Sequence, residues 1–127
     1  MAKILLAEDD PAVREFVRRA LVHSGHDVTA VDDGLAAIEV LSTDQFDMLI
    51  TDIVMPGMDG IALALKASKD RPSMPILMMT GYAAERQRAH NLEALIHKVI
   101  AKPFSLRDIC NAVAEILKRS THAIGLA

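Results

Sequence analysis

Glu8, Asp9, Asp52, Thr80 and Lys102 each stand where a short apolar run gives way to polar residues. Ile4-Leu5-Leu6-Ala7 leads into Glu8-Asp9-Asp10, and Met48-Leu49-Ile50-Thr51 into Asp52. Ile76-Leu77-Met78-Met79 leads into Thr80, and Lys98-Val99-Ile100-Ala101 into Lys102-Pro103. Glu8, Asp9 and Asp52, brought together, would concentrate negative charge that a hard divalent cation such as Mg2+ resolves with oxygen ligands and retained waters. Such a cation also neutralises and polarises an incoming phosphoryl group. A carboxylate can then act as the nucleophile, giving an acyl phosphate. The extra oxygens of that product need donors. Lys102 offers a point charge and the Thr80 hydroxyl a hydrogen bond. Taken singly, each feature is ordinary: an acidic trio suits a helix start, Thr80-Gly81 a turn, Lys102-Pro103 surface punctuation. Their joint occurrence at four run ends is what points to chemistry.

Those run ends meet only if the runs are neighbouring strands. The first, third and fourth runs are continuously apolar, as expected of strands covered on both faces. Asp27 to Val31 (DVTAV) supplies a further strand. Helical patterns fill the gaps. Val13, Phe16, Val17, Ala20 and Leu21 mark one apolar helix face, with Asp10 as cap, Pro11 at the first helical position and Gly25 as terminator. Asp33 or Gly34 starts a second helix through Leu35, Ile38 and Leu41. Asp59-Gly60 precedes a third with Ile61, Leu63, Ala64 and Leu65, and Ala83 to Leu95 gives a fourth. Ser105 caps a fifth through Ile109, Ala112, Val113, Ile116 and Leu117. Strand-helix alternation, five times over, predicts a three-layer α/β domain with a five-stranded parallel sheet. In such sheets the working crevice lies outside the carboxyl ends of the strands. Residues 1–118 form the expected domain. Residues 119–127 (RSTHAIGLA) lose periodicity and are expected to be a loose tail.

Composition narrows the function classes. Of 127 residues, 14 are Lys or Arg and 17 Asp or Glu, a formal charge of -3, which argues against a general nucleic-acid binder. Aromatics are 3%, so the core must be aliphatic. The single cysteine, Cys110, allows no internal disulfide and has the setting of a buried structural thiol. The five histidines have no zinc-ligand spacing. No N-terminal signal pattern is visible, and no apolar stretch approaches the roughly 20 residues of a membrane helix, so a cytoplasmic protein is expected.

The chain closely resembles the response-regulator receiver family over nearly its whole length. The carrying motifs are ILLAEDD with Pro11 to Arg14 following, TDIVMPGMDG at Thr51 to Gly60, MMTGYA at Met78 to Ala83, and AKPF at Ala101 to Phe104. The resemblance implies the strand order 2-1-3-4-5 of flavodoxin- and receiver-like folds, for which a chemotaxis receiver is a standard example. It implies Asp52 as phospho-acceptor, Asp9 as a direct Mg2+ ligand, Glu8 as its acidic partner, and the Val54 carbonyl as a further ligand. Thr80 corresponds to the switch hydroxyl and Lys102 to the phosphate-pairing lysine, with a cis Lys102-Pro103 bond. The donor would be a histidine kinase or histidine phosphotransfer protein. Within the family the sequence is similar to CpdR-type single-domain receivers, above all in MTGYAAERQRA. That similarity implies a cell-cycle role in which a ClpX-type protease is the downstream partner.

One position departs from the family pattern. The usual aromatic residue three before the lysine is Val99 here, and Tyr82 is the nearest ring in sequence, either sharing the switching role or facing solvent from its loop. The segment with Glu85, Arg86, Arg88 and His90 is either a recognition surface or a solvated helix face. The resemblance implies a switch with slow self-dephosphorylation rather than a turnover enzyme. Two rivals stay open. A haloacid-dehalogenase-like hydrolase also uses an aspartyl nucleophile with Mg2+, but it needs an acidic residue two positions after the nucleophile, where Val54 stands. A pseudo-receiver would bind partners without phosphate, against the complete acidic, Thr and Lys set.

Overall fold

The computed structural model describes residues 2–81 and 96–126. Nine elements follow in order: β1 Lys3–Ala7, α1 Pro11–His23, β2 Asp27–Val31, α2 Gly34–Thr43, β3 Met48–Asp52, α3 Gly60–Asp70, β4 Ile76–Thr80, β5 Lys98–Ala101 and α4 Leu106–Leu126. The helix expected from Ala83 to Leu95, with Tyr82 before it and Glu85, Arg86, Arg88 and His90 within it, lies outside the described residues.

Each helix starts where a side chain replaces a missing backbone acceptor. The Asp10 carboxylate accepts the Ala12 N–H at 2.9 Å. Asp33 accepts the Ala36 N–H at 2.7 Å, and Asp59 the Ala62 N–H at 2.9 Å. At α4 the cap is reciprocal: the Asp108 N–H donates to the Ser105 hydroxyl and the Ser105 N–H to the Asp108 carboxylate, each at 3.0 Å. Such caps contribute about 1 kcal/mol apiece. Past α1 the chain reverses through Gly25, whose φ of 96° suits glycine.

The five strands form one parallel sheet in the order β2-β1-β3-β4-β5. Strand residues alternate between two cores, which explains the unbroken apolar runs. Leu5, Leu49, Ile76 and Met78 face α2 and α3, and pack with Leu41 and Leu63. Ile4, Leu6, Met48, Ile50, Leu77 and Met79 face the other way, against Val17 and Leu21 of α1 and Ile109 and Val113 of α4. A sheet buried on both faces can meet a polar ligand only at its ends.

Helix α4 continues past residue 118 to Leu126, so the stretch expected to be a loose tail is helical. Lost apolar periodicity removes a reason to pack, not the ability to be helical. No proline follows Leu117, Gly125 is the first glycine after it, and the Arg119 guanidinium pairs with Glu115 one turn back at 2.7 Å.

Candidate functional site

Parallel pairing brings the strand ends to one edge. Ala7 lies opposite Thr51, Asp52 opposite Met79, and Thr80 opposite Ala101, so the next residue of each strand enters one small volume. Glu8 is held there by its N–H, which donates to the Val31 carbonyl of β2 at 3.1 Å. The Lys102 N–H donates to the Thr80 carbonyl at 2.7 Å, fixing the end of β5 to that of β4. The Lys102-Pro103 bond is cis. Asp52 keeps one carboxylate oxygen on the Ile53 N–H at 2.9 Å, and its carbonyl accepts the Thr51 hydroxyl at 2.9 Å.

The side chains converge as the run ends suggest. One carboxylate oxygen from each of Glu8, Asp9 and Asp52 lies within 4.8 Å of the others. Glu8 and Asp52 are buried, at 0% and 6% exposure, whereas Asp9 is open to solvent. The Lys102 ammonium bridges the two buried acids, 2.9 Å from Glu8 Oε1 and 3.1 Å from Asp52 Oδ2. Among the described residues, Lys102 is the one cation paired with this trio of carboxylates. Burial and the adjoining Asp52 carboxylate push Glu8 up to about pKa 8, with Lys102 pulling the other way. Burial works against the Lys102 charge, but the two carboxylates outweigh it and raise its pKa. Two buried polar atoms, Glu8 Oε2 and Thr80 Oγ1, have no hydrogen-bond partner among the described residues. A hard oxygen donor set, an excess of negative charge and an unsatisfied Glu8 oxygen together fit a divalent cation such as Mg2+.

Beside this cluster opens a cavity of about 630 Å³ walled by Ala12, Val13, Phe16, Val54, Pro103 and Phe104, with Asp52 and Lys102 also lining it. Phe16 and Phe104 meet at 6.3 Å between ring centroids. The Val54 side chain is exposed in the loop after β3. Val99, at the position where the family resemblance implies an aromatic ring, is an exposed residue of the edge strand β5. Gly60 lets α3 approach the site: a Cβ there would lie 1.7 Å from the Asp52 carbonyl oxygen.

Three residues had no such role in the sequence reading. Arg14 Nη1 donates to the Glu8 carbonyl at 2.9 Å. On the opposite edge of the sheet, His26 Nδ1 accepts the Ala2 N–H at 3.1 Å and His97 Nδ1 accepts the Ile76 N–H at 3.0 Å. Both histidines immediately precede an edge strand and tie its entry to the neighbouring strand. No sequence signal marks them, because the contact depends on register.

The sequence profile of the response regulator receiver domain matches residues 4–114. The response regulator receiver protein CpdR of Brucella abortus is 44% identical over 117 residues, covering 92% of this chain and 98% of that protein. The response regulator protein FleR of Pseudomonas aeruginosa is 37% identical over 124 residues; the match takes in 98% of this chain but only 25% of FleR. A CheY-like response regulator receiver domain protein from Methanospirillum hungatei superposes with a TM-score of 0.90 at 28% identity, covering 97% of this chain and 98% of that one. No described helix is long and apolar enough to cross a membrane. Fold, motif placement and matches across nearly the whole length agree: the chain belongs to the response regulator receiver domain family of two-component signalling.

Proposed function

We propose that Asp52 is the phospho-acceptor of a signalling switch, working with Mg2+ held by Glu8, Asp9, Asp52 and the Val54 carbonyl. The observation that carries this is the charge imbalance: three carboxylate oxygens within 4.8 Å of one another, with a single lysine bridging two of them. A bound cation would supply charge neutralisation for the incoming phosphoryl group. Asp52 Oδ2, the oxygen paired with Lys102, attacks phosphorus as the P–N bond of a phosphohistidine donor breaks, and the imidazole of a histidine kinase or phosphotransfer protein departs. Asp52 Oδ1 stays oriented by the Ile53 N–H. Lys102 then faces the new phosphoryl oxygens, and the Thr80 hydroxyl, which has no partner among the described residues, turns to donate to one. Reorienting Thr80 shifts a two-state equilibrium read by a partner. The state of Asp52 is the output, and slow hydrolysis resets it. Residues 1–118 are the switch unit, acting in the cytoplasm.

Incubation with a phosphodonor and Mg2+, followed by mass mapping, tests this. The expected result is one phosphoryl group on Asp52, lost in Asp52→Asn and in the presence of a chelator. Uptake at another residue, or uptake indifferent to chelation, overturns the assignment. The match to CpdR over nearly all of both chains supports a finer reading, in which the partner is a ClpX-type protease in a cell-cycle relay. Pull-down with wild type and Asp52→Ala, each with and without phosphodonor, tests it; retention of a ClpX-type protease that never depends on phosphorylation counts against it.

A further inference from the structure

We infer that Arg14 is a positioning residue for the cation site, acting through the main chain of Glu8. The inference rests on the Mg2+ reading above. Glu8 and Asp9 sit on the short link between β1 and α1, and a ligand pair on a link is only as well placed as its anchors allow. Three anchors are visible. The Glu8 N–H donates to Val31 at 3.1 Å, the last bond of the β1–β2 ladder. The Asp10 carboxylate accepts from Ala12 and caps α1, and the Arg14 N–H donates to the Asp10 carbonyl at 2.9 Å to begin the helical ladder. Between these the Glu8 carbonyl has left the sheet and lies before the helix. Arg14, half-buried on the second turn of α1, reaches back to it at 2.9 Å. That bond closes a ring from strand end to helix start around Glu8, Asp9 and Asp10. Asp9, itself exposed, is thereby fixed at both flanking residues.

The charge on Arg14 has the wrong sign for attracting a cation to this turn. Its contribution therefore separates by sign from plain electrostatics. If Arg14 acts only as a charge, removing it relieves repulsion and tightens Mg2+ binding. If it positions the ligands, removing it weakens binding, as loss of groups that support metal ligands does by about ten-fold at the lower end.

Titration calorimetry of Mg2+ into wild type, Arg14→Ala, Arg14→Met and Arg14→Lys decides between them. Arg14→Ala and Arg14→Met are expected to bind about ten-fold more weakly. Arg14→Lys, which keeps a donor of similar reach, is expected to stay close to wild type. Arg14→Met keeps the apolar stem, so recovery of affinity in this variant assigns Arg14 to packing and overturns the inference. Equal or tighter binding by Arg14→Ala overturns it too. Should Arg14→Ala lose its fold, shown by the thermal midpoint in chelator, the Met and Lys variants decide alone. Absence of Mg2+ binding by the wild type instead removes the cation site itself, a separate failure.

Discussion

Replacing Gly60 with alanine should destabilise the protein, against the usual rule for helices. In an ordinary helix the change is favourable by about 1 kcal/mol, because alanine loses less backbone entropy. Here the added Cβ would stand 1.7 Å from the Asp52 carbonyl oxygen, 2.7 Å from the Asp52 carbonyl carbon and 3.0 Å from the Ile53 Cα. All three are main-chain atoms at the buried end of β3, so no side chain can swing aside. Contact distances of roughly 3.5 Å require the start of α3 to retreat by well over 1 Å. The Gly60 N–H donates to the Ile53 carbonyl at 2.7 Å, and that bond breaks in the same movement. Overpacking costs about 2 kcal/mol, and the abandoned buried acceptor about another 2. Subtracting the helix gain leaves a loss of about 3 kcal/mol. With a urea slope of about 2 kcal/mol/M, the unfolding midpoint falls by about 1.5 M. An unchanged or raised midpoint would show that α3 yields freely and that its approach to Asp52 is not enforced.

Other outcomes follow from single contacts. Burial holds the pKa of His97 and His26 below the ordinary 6.5, and each Nδ1 must be unprotonated to accept its backbone N–H. Their contribution to stability is therefore complete above pH 6.5 and is lost as pH falls from 6.5 through the lower folded values. Urea midpoints should drop over that window, with a shallower slope in His97→Asn; an identical slope would remove His97 from the account. Arg71→Met leaves the Leu41 and Asp44 carbonyls without the guanidinium that now serves both, and should cost about 2 kcal/mol by urea unfolding. Two threonines at adjacent strand ends should answer valine in opposite ways. Thr51→Val loses a 2.9 Å hydrogen bond to the Asp52 carbonyl and should cost about 1 kcal/mol. Thr80→Val replaces a buried hydroxyl with no partner among the described residues, so its thermal midpoint should hold or rise. A fall would mean that the hydroxyl is satisfied.

Strands and caps were legible because they rest on local rules. Continuous apolar runs declared strands buried on both faces, and Asp10, Asp33, Asp59 and Ser105 each caps the helix it precedes. The clustering of Glu8, Asp9 and Asp52 was legible once those runs were taken as parallel neighbours. The strand order came from the family resemblance, since periodicity says nothing about which strands pair. What stayed hidden depends on direction and register. Arg14 reads as one more charged helix residue until its side chain is seen to turn back on Glu8. His26 and His97 become acceptors only because their strands begin level with Ala2 and Ile76. The full extent of α4 is hidden too, because apolar periodicity ends before the helix does.

The main chain at Asp52 has almost no slack. Its carbonyl takes the Thr51 hydroxyl and lies against Gly60, and the next carbonyl holds the Gly60 N–H. A force on the Asp52 carboxylate is thus borne as at the clamped end of a beam, passing into β3 and the first turn of α3 with little displacement. The Thr80 side chain on the next strand, buried as it is, is tethered to none of the described residues through its hydroxyl. A disturbance at the site accordingly divides by stiffness. The α3 side takes the load and registers it as a change in stability. On the proposed role of Asp52, the β4 side, where no such clamp holds the Thr80 hydroxyl among the described residues, is the side left to move.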